Sequence, residues 1–262
     1  MGYNLRMLGR QFLARDRSNP WWWLPERGLA RTLLEVLIIV PAYALYQLVR
    51  GTVHDRVPEA VDRATKLVAI EQTLGIFREA EFQSRIMTWE IAVRIVNTVY
   101  VWGHLPLIII VGIWLLTFHH QRYALFRNAF LISGAIALVL FYLIPTAPPH
   151  YLQSWGFGDT AVSSGSDYIF QPPAFVNQYA AMPSLHFGWS LLASMAIFTT
   201  LQSRLRYLAL LVPVATLGGV ILTGNHFFLD VAAGAAVAML ALWIAMQLRS
   251  RLPRTKPFTI LA

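Results

Sequence analysis

Six long apolar runs, separated by shorter polar stretches, make up most of the chain. The runs extend over about 29–48, 91–118, 123–144, 184–201, 207–222 and 226–248. About 20 apolar helical residues are enough to cross the hydrocarbon core of a bilayer. The pattern therefore predicts an all-α, polytopic membrane bundle of six transmembrane helices. Residues 50–90 mix acidic and basic side chains, which predicts additional interfacial helices with a solvated polar face.

Composition supports the same fold class. Hydrophobic residues make up 56% of the 262 residues and charged residues 13%, whereas soluble domains carry about 25% charged residues. We expect a basic N-terminal segment with a Trp-rich interfacial anchor at 1–28, a six-span membrane domain at 29–248 and a basic tail at 249–262. Cysteine is absent, which excludes disulfides, thiolate nucleophiles and thiolate metal ligands.

The basic residues that give the net charge of +8 predict the topology. They lie in the N-terminal segment, the 119–127 and 203–206 turns and the C-terminal tail, whereas 146–183 and 223–225 contain no lysine or arginine. The positive-inside rule therefore predicts an integral protein of the plasma (inner) membrane with both termini cytoplasmic. Because the basic residues are spread over several turns, they argue against nucleic acid as a partner.

Three polar motifs, at 145–151, 183–186 and 223–230, are then predicted to meet at the extracytoplasmic ends of the spans. A titratable group at the mouth of a span is a functional-site hypothesis because it costs free energy there. His226 and Asp230 are four residues apart and share a helix face, so the carboxylate can hold the imidazole. One histidine can act as base or nucleophile while a second, His186, supplies a proton.

Phosphoryl transfer fits this residue set best, because that reaction depends mainly on positioning and on stabilising charge. Both histidines fall in a first helical turn, where free backbone N–H groups attract phosphate. Ser184, Asn225 and His150 are candidate substrate-binding residues in the same motifs. His104 and Arg94, in the second run, are further candidates, although outer-leaflet polar residues can also simply snorkel.

One charged residue lies inside the first run. Glu35 is four residues after Arg31, and we interpret it as a carboxylate paired near the cytoplasmic end, without a catalytic role. Arg127 is a poor candidate for phosphate binding because about 18 helical residues, at 1.5 Å each, separate it from the 145–151 motif by roughly 27 Å.

The motifs resemble those of a known family. Residues 183–186 (PSLH) resemble the second signature of the type 2 phosphatidic acid phosphatase superfamily, and 224–230 (GNHFFLD) resemble the third. The stretches 145–149 (PTAPP), 179–182 (YAAM) and 223–226 (TGNH) resemble the branch that includes inositol phosphorylceramide synthases and inositol phosphotransferases.

The resemblance implies a role for each matching residue. His226 would attack phosphorus to form a phosphohistidine, Asp230 would orient it, His186 would protonate the departing oxygen and Ser184 would hydrogen-bond the phosphoryl group. It implies no metal and no cofactor, and the site also lacks the carboxylate cluster that Mg²⁺ needs.

Two positions depart from the family pattern. Val220 stands six residues before the implied nucleophile, where the superfamily has an arginine, and His150 stands where the transferase branch has one. Imidazoles, helix ends and Arg94 would then have to stabilise the phosphate. A clamp with fewer arginines fits a less charged phosphodiester slightly better than a phosphomonoester dianion.

The sequence thus predicts an integral-membrane lipid phosphatase or phosphotransferase, acting on a phospholipid or polyprenyl-type phosphate or phosphodiester at the extracytoplasmic face. Either water or an alcohol such as inositol could resolve the intermediate. The alternative is a non-catalytic lipid carrier or transporter with the same fold, although the spans hold few ionisable groups for a polar path. Hydropathy excludes a soluble haloperoxidase relative. The oligomeric state is left open.

Overall fold

The computed structural model describes residues 29–50, 56–158, 160 and 179–251. The predicted Trp-rich segment at 1–28, most of the loop from 159 to 178 and residues 252–262 of the basic tail lie outside the described residues. Throughout the described ranges the regular structure is helical and no β-strand occurs. The all-α prediction is confirmed.

Nine α-helices follow one another in the described part of the chain. They are α1 (Leu29–Arg50), α2 (Val57–Thr73), α3 (Glu79–Met87), α4 (Glu90–Trp102), α5 (His104–Phe118), α6 (His120–Leu143), α7 (Leu185–Thr200), α8 (Leu211–Leu222) and α9 (Phe228–Arg251). Short 3-10 helices at Pro149–Tyr151, Gln153–Trp155 and Arg204–Leu210 lie in the connections.

Within the described residues, four helical segments are long and apolar enough to cross a membrane. They are Glu90–Phe118, formed by α4 and α5 together, and His120–Leu143, Arg204–Leu222 and Phe228–Ser250. The other two predicted spans correspond to shorter apolar helical stretches, Thr32–Tyr46 and Leu185–Thr200. The predicted number of six spans is therefore not confirmed. The 16 residues of α7 extend only about 24 Å, less than the roughly 30 Å of a hydrocarbon core.

The bundle core forms where α5, α6, α7 and α9 pack together. Its buried side chains include Leu115, Phe126, Ala129, Leu192, Ala196, Leu242 and Ala245. Alanines on three of these helices allow the backbones to approach closely, as is common in membrane bundles. Trp189 of α7 adds a polar link across the bundle, because its indole N–H donates to the Ser133 hydroxyl of α6 at 3.1 Å.

A buried ion pair joins α1 to α6. Glu35 accepts from Arg127, with both carboxylate oxygens 2.6 Å from one guanidinium nitrogen, and the two side chains are only 9% and 8% exposed. The sequence interpretation placed the partner of Glu35 one turn earlier on its own helix. The structure corrects this, since the partner comes from 92 residues away on a neighbouring helix. The Arg127 guanidinium is therefore already bound by the Glu35 carboxylate.

The helices α2 and α3 pack over the end of the bundle at which α9 begins. One face of α2 is buried, and its apolar members are Ala60, Ala64, Leu67 and Val68. They contact Phe157 and Phe227 and the segment that follows α6, including Ala147. This is the stretch for which interfacial helices with solvated charges are predicted. That interpretation is wrong for Glu71 and Glu79, which are fully buried.

Candidate active site

The three polar motifs meet at one end of the bundle, because α6 ends there while α7 and α9 begin there. The Ser184 N–H donates to the Asp230 carbonyl at 2.9 Å, which joins the second motif to the third. The Thr146 N–H donates to the Tyr179 carbonyl at 2.8 Å, which joins the proline-rich motif to the segment before α7. These backbone contacts join segments that are 46 and 33 residues apart in sequence.

The close crossing of α7 and α9 depends on two glycines. A Cβ atom placed on Gly188 would lie 2.7 Å from the Gly234 carbonyl oxygen. A Cβ atom on Gly234 would lie 2.2 Å from the Ser184 carbonyl oxygen. Side chains at either position would therefore push the helices apart, and with them the two histidine motifs.

His186 and His226 face each other across this crossing. Their ring centroids are 5.8 Å apart and the rings are tilted by 56°. The Nδ1 atom of His226 lies 3.5 Å from the Asp230 carboxylate, which is fully buried. That leaves Nε2, on the far side of the His226 ring, as the nitrogen directed away from Asp230. A histidine held in this way can present a neutral Nε2 lone pair to an electrophile.

Two further rings from the α4–α5 span surround His186. Tyr100 stacks on the His186 ring with centroids 4.6 Å apart and an interplanar angle of 22°. His104 lies closer, at 4.1 Å and 52°. His104 is one of the candidates from the sequence, whereas Tyr100 was missed. Tyr100 lies four residues before His104, and residues four apart share a helix face, so this spacing could have identified Tyr100.

The remaining candidates from the motifs lie around the same turn. Ser184 is fully buried and caps α7, with its hydroxyl oxygen accepting from the Phe187 N–H at 3.4 Å. The Asn225 amide donates to the Thr223 hydroxyl at 2.8 Å. The His150 backbone N–H donates to the Gly224 carbonyl at 3.0 Å, and its Nδ1 atom lies 3.2 Å from the same oxygen.

Arg94 does not join this cluster. Its guanidinium binds Glu90 at 2.7 Å, one turn earlier on α4, and its side chain is 65% exposed. Arg78, just before α3, and Arg85 on α3 are likewise exposed, and both bind Glu81. The expectation that Arg94 helps to bind phosphate therefore has no support from its position. Val220, at the position of the missing arginine, is buried.

Three carboxylates occupy the backbone N–H groups that follow His226. Asp230 accepts from the Phe227 N–H at 2.9 Å. Glu79 of α3 accepts from the Phe228 N–H at 2.9 Å, and Glu71 of α2 accepts from the Leu229 N–H at 2.8 Å. The expectation that these N–H groups attract phosphate is wrong, because protein side chains already satisfy them.

A second set of amide contacts holds the turn that precedes His226. The Gln83 side chain exchanges two hydrogen bonds with the backbone of Gly158, at 2.8 and 2.9 Å. The same amide lies against Gly224, where a Cβ atom would come within 2.5 Å of Nε2 of Gln83. Gly224 also has a φ of +68°, a conformation that favours glycine. A side chain at 224 would therefore meet both steric and backbone strain.

Across the turn, Asn97 of α4 donates to the Thr160 carbonyl at 2.9 Å and accepts from the Thr160 hydroxyl at 3.0 Å. That hydroxyl also lies 3.1 Å from the Thr223 carbonyl. The turn that precedes His226 is thus connected to α3 and α4 by buried polar side chains. Among the residues that the structure describes, no group of three or more His, Cys, Asp or Glu side chains has an arrangement suited to a metal ion.

A comparison with family models gives one match, to the PAP2 superfamily over residues 65–244. This chain belongs to the PAP2 superfamily. Membership indicates phosphatase-type lipid phosphoryl transfer in a membrane protein, and the predicted superfamily is confirmed. The narrower resemblance to inositol phosphorylceramide synthases stays a prediction. Searches of curated proteins and of solved structures returned no match.

The region of this PAP2 superfamily member that matches the family model can be located on the structure. It begins within α2, ends within α9 and includes both histidines with all three polar motifs. The helices α2 and α3, which bind the start of α9, therefore lie inside the matched region for most of their length. Several apolar helices agree with an integral membrane location for this PAP2 protein.

Proposed function

We propose that this protein is a lipid phosphatase or phosphotransferase in which His226 is the nucleophile. The substrate is a phospholipid or polyprenyl-type phosphate whose phosphate group lies at the extracytoplasmic surface. The observation that carries the proposal is the placement of His186 and His226 with ring centroids 5.8 Å apart, beside a buried Asp230. Superfamily membership supports the reaction class.

In the first step, Nε2 of His226 attacks phosphorus and a P–N bond forms as the P–O bond to the leaving group breaks. Asp230, at 3.5 Å from Nδ1, stabilises the positive charge that develops on the ring. His186 gives a proton to the departing oxygen. The products are a phosphohistidine on His226 and the released alcohol.

In the second step, His186, now neutral, accepts a proton from the incoming hydroxyl. That hydroxyl attacks phosphorus, the P–N bond breaks and His226 is regenerated. Water as acceptor gives hydrolysis, whereas an alcohol such as inositol gives head-group transfer. The proline-rich motif at 145–149 resembles the transferase branch and supports transfer.

The charges around the site favour a substrate with a single negative charge. The imidazoles of His104 and His186 lie next to each other at the site, while Arg78, Arg85 and Arg94 are held in exposed ion pairs. Bidentate arginine contacts are the usual means of binding a phosphomonoester dianion. We therefore propose a phosphodiester substrate ahead of a phosphomonoester.

The extracytoplasmic position of the site is part of the proposal and rests on the distribution of basic residues. Arg122 and Arg249 belong to the other end of α6 and α9 from the motifs. The positive-inside rule assigns that basic end to the cytoplasm. The histidine end then faces the opposite side of the membrane.

The test is to incubate purified full-length protein with a panel of lipid phosphates and phosphodiesters, with and without inositol, and to identify the products. We expect release or exchange of a phosphoryl-type group, lost in His226→Ala and kept in His119→Ala. His119 is a matched control because it lies between α5 and α6, at the opposite end of the bundle. Activity that survives His226→Ala would refute the nucleophile.

A further inference from the structure

Two buried glutamates from the interfacial helices hold the start of the nucleophile helix. Glu79 and Glu71 accept from the N–H groups of Phe228 and Leu229, which lie 149 and 158 residues further along the chain. Both carboxylates are fully buried. Buried charges are costly, so two of them at one helix end need a physical reason.

The two carboxyl groups accept from the N–H groups of adjacent residues, so they lie side by side at the same helix end. Two ionised carboxylates side by side in a buried site would repel each other strongly, so one of them carries a proton. Oε1 of Glu71 accepts from Leu229, whereas Oε2 is buried and has no hydrogen-bond partner in the described structure. Both oxygens of Glu79 are acceptors, from the N–H groups of Phe228 and Arg78. The proton therefore belongs on Oε2 of Glu71.

Electrostatics agree with this assignment. Burial, followed by the adjacent Glu79 carboxyl group, raises the pKa of Glu71 to about 9. The negative charge of Asp230 also raises the pKa of Glu71. The pair then holds one negative charge in total, which the partial positive charge of the helix N-terminus can balance.

We propose that Glu71 and Glu79 are positioning residues, a proton-sharing pair that fixes the first turn of α9 and so aims His226 at the substrate phosphorus. The inference rests on the proposed function, since it names His226 as the nucleophile. Phe227, Phe228 and Leu229 directly follow the histidine, so fixing their N–H groups fixes the direction of its side chain and the position of Asp230. Small misplacements of this kind can cost about 10²-fold in rate.

Because only Glu71 carries the proton, replacing Glu71 by glutamine should have a smaller effect than replacing Glu79 by glutamine. In Glu71→Gln, the amide oxygen can accept from Leu229 and the side chain is neutral, as the protonated acid is. In Glu79→Gln, the NH₂ group must face a backbone N–H donor, and one bond is lost. Glu81→Gln is the matched control on α3, because Glu81 is partly exposed and binds only surface arginines.

The experiment measures two quantities on the full-length protein in detergent. The first is kcat and KM for turnover of a lipid phosphodiester. The second is amide hydrogen exchange in the peptide that covers the first turn of α9. We expect Glu71→Gln and Glu81→Gln to stay within about threefold of wild type in kcat. We expect Glu79→Gln to lose about 10²-fold in kcat, with KM nearly unchanged and with faster exchange in that peptide.

Glu71→Leu gives a second comparison in case Glu79→Gln does not fold. The leucine side chain of this variant is neutral, like the glutamine of Glu71→Gln, but it cannot accept from the Leu229 N–H. Glu71→Leu should therefore show faster amide exchange in the first turn of α9 and a lower kcat, whereas Glu71→Gln should show neither change. Equal behaviour of the Gln and Leu variants at 71 in exchange and kcat overturns the proposal. Wild-type protein without turnover of any lipid refutes the proposed function alone, because the exchange measurement still tests the pair.

Discussion

Gly234 of α9 lies directly against the backbone of Ser184, so close that a Cβ atom would sit 2.2 Å from the Ser184 carbonyl oxygen. Ser184 also donates its N–H to the Asp230 carbonyl at 2.9 Å. The residue that caps the His186 helix is therefore in contact with the helix that carries Asp230. The arrangement of the two histidines depends on this contact.

We expect Gly234→Ala to separate α7 from α9, because neither backbone can move aside without disturbing the bundle. Overpacking of this kind costs typically about 1–3 kcal/mol. Thermal unfolding in detergent should show a lower midpoint, and turnover should fall with it. Gly218→Ala on α8 is the control, since a Cβ atom there has nothing within 4 Å. An unchanged midpoint for Gly234→Ala contradicts the close crossing.

His186→Ala should slow turnover of a lipid substrate by about 10²–10⁴-fold, the usual contribution of general acid–base catalysis. In the single-turnover release of the alcohol, which excludes the second step where His186 acts as a base, the loss should be much smaller for a nitrophenyl phosphodiester, whose leaving oxygen departs without a proton. Measuring both substrates with both proteins separates acid catalysis from binding. Equal losses on the two substrates would mean that His186 does not protonate the leaving group.

The Glu35–Arg127 pair predicts a large and non-additive effect on stability. Glu35→Gln or Arg127→Gln alone leaves a buried charge without its partner, which typically costs about 3–5 kcal/mol. The double variant should recover part of that loss. Arg94→Gln, which breaks an exposed pair with Glu90, should cost less than about 1 kcal/mol. Full additivity of the two single substitutions would show that the pair is not coupled.

The pH dependence of stability should reveal the proton on Glu71. Its pKa is raised from the usual value of 4.5 to about 9, with Glu79 and Asp230 as the charged groups that face it. The stabilisation from the bound proton is fully present below pH 4.5 and is lost as the pH rises through about 9. Unfolding of wild type compared with Glu71→Gln between pH 5 and pH 9 should show this loss in wild type alone. Parallel curves would place the proton elsewhere.

Much of the site could be predicted because its chemistry is local in sequence. The i, i+4 spacing of His226 and Asp230 and the position of His186 at a helix start are visible in the chain itself. The superfamily also follows from those motifs, and the comparison confirms it. Convergence of the motifs at one end follows from the up-and-down order of apolar runs.

What could not be predicted depends on contacts between distant segments. Glu71 and Glu79 lie in a stretch of mixed charge, where most acidic side chains, such as Asp62 and Glu81, are exposed and form surface ion pairs. Their partners are about 150 residues away, so spacing alone gives no sign of them. One signal was present for Glu71, because it continues the buried face of α2 at the period of a helix.

The predicted count of six spans is not confirmed for a different reason. Hydropathy marks the run at 184–201 as apolar, but the Ser184 cap and the end at Thr200 leave a 16-residue helix. The partner of Glu35 was also misassigned. A residue four positions away was the available choice in sequence, whereas helix packing supplied Arg127.

The most direct test is to quench wild-type protein during turnover of a substrate labelled with ³²P at the reacting phosphorus, and to map the label. We predict an acid-labile, alkali-stable phosphohistidine on the peptide that contains His226, absent in His226→Ala and present in His119→Ala. Label on another residue, or full turnover with no label retained under conditions that preserve phosphohistidine, would contradict His226 as the nucleophile.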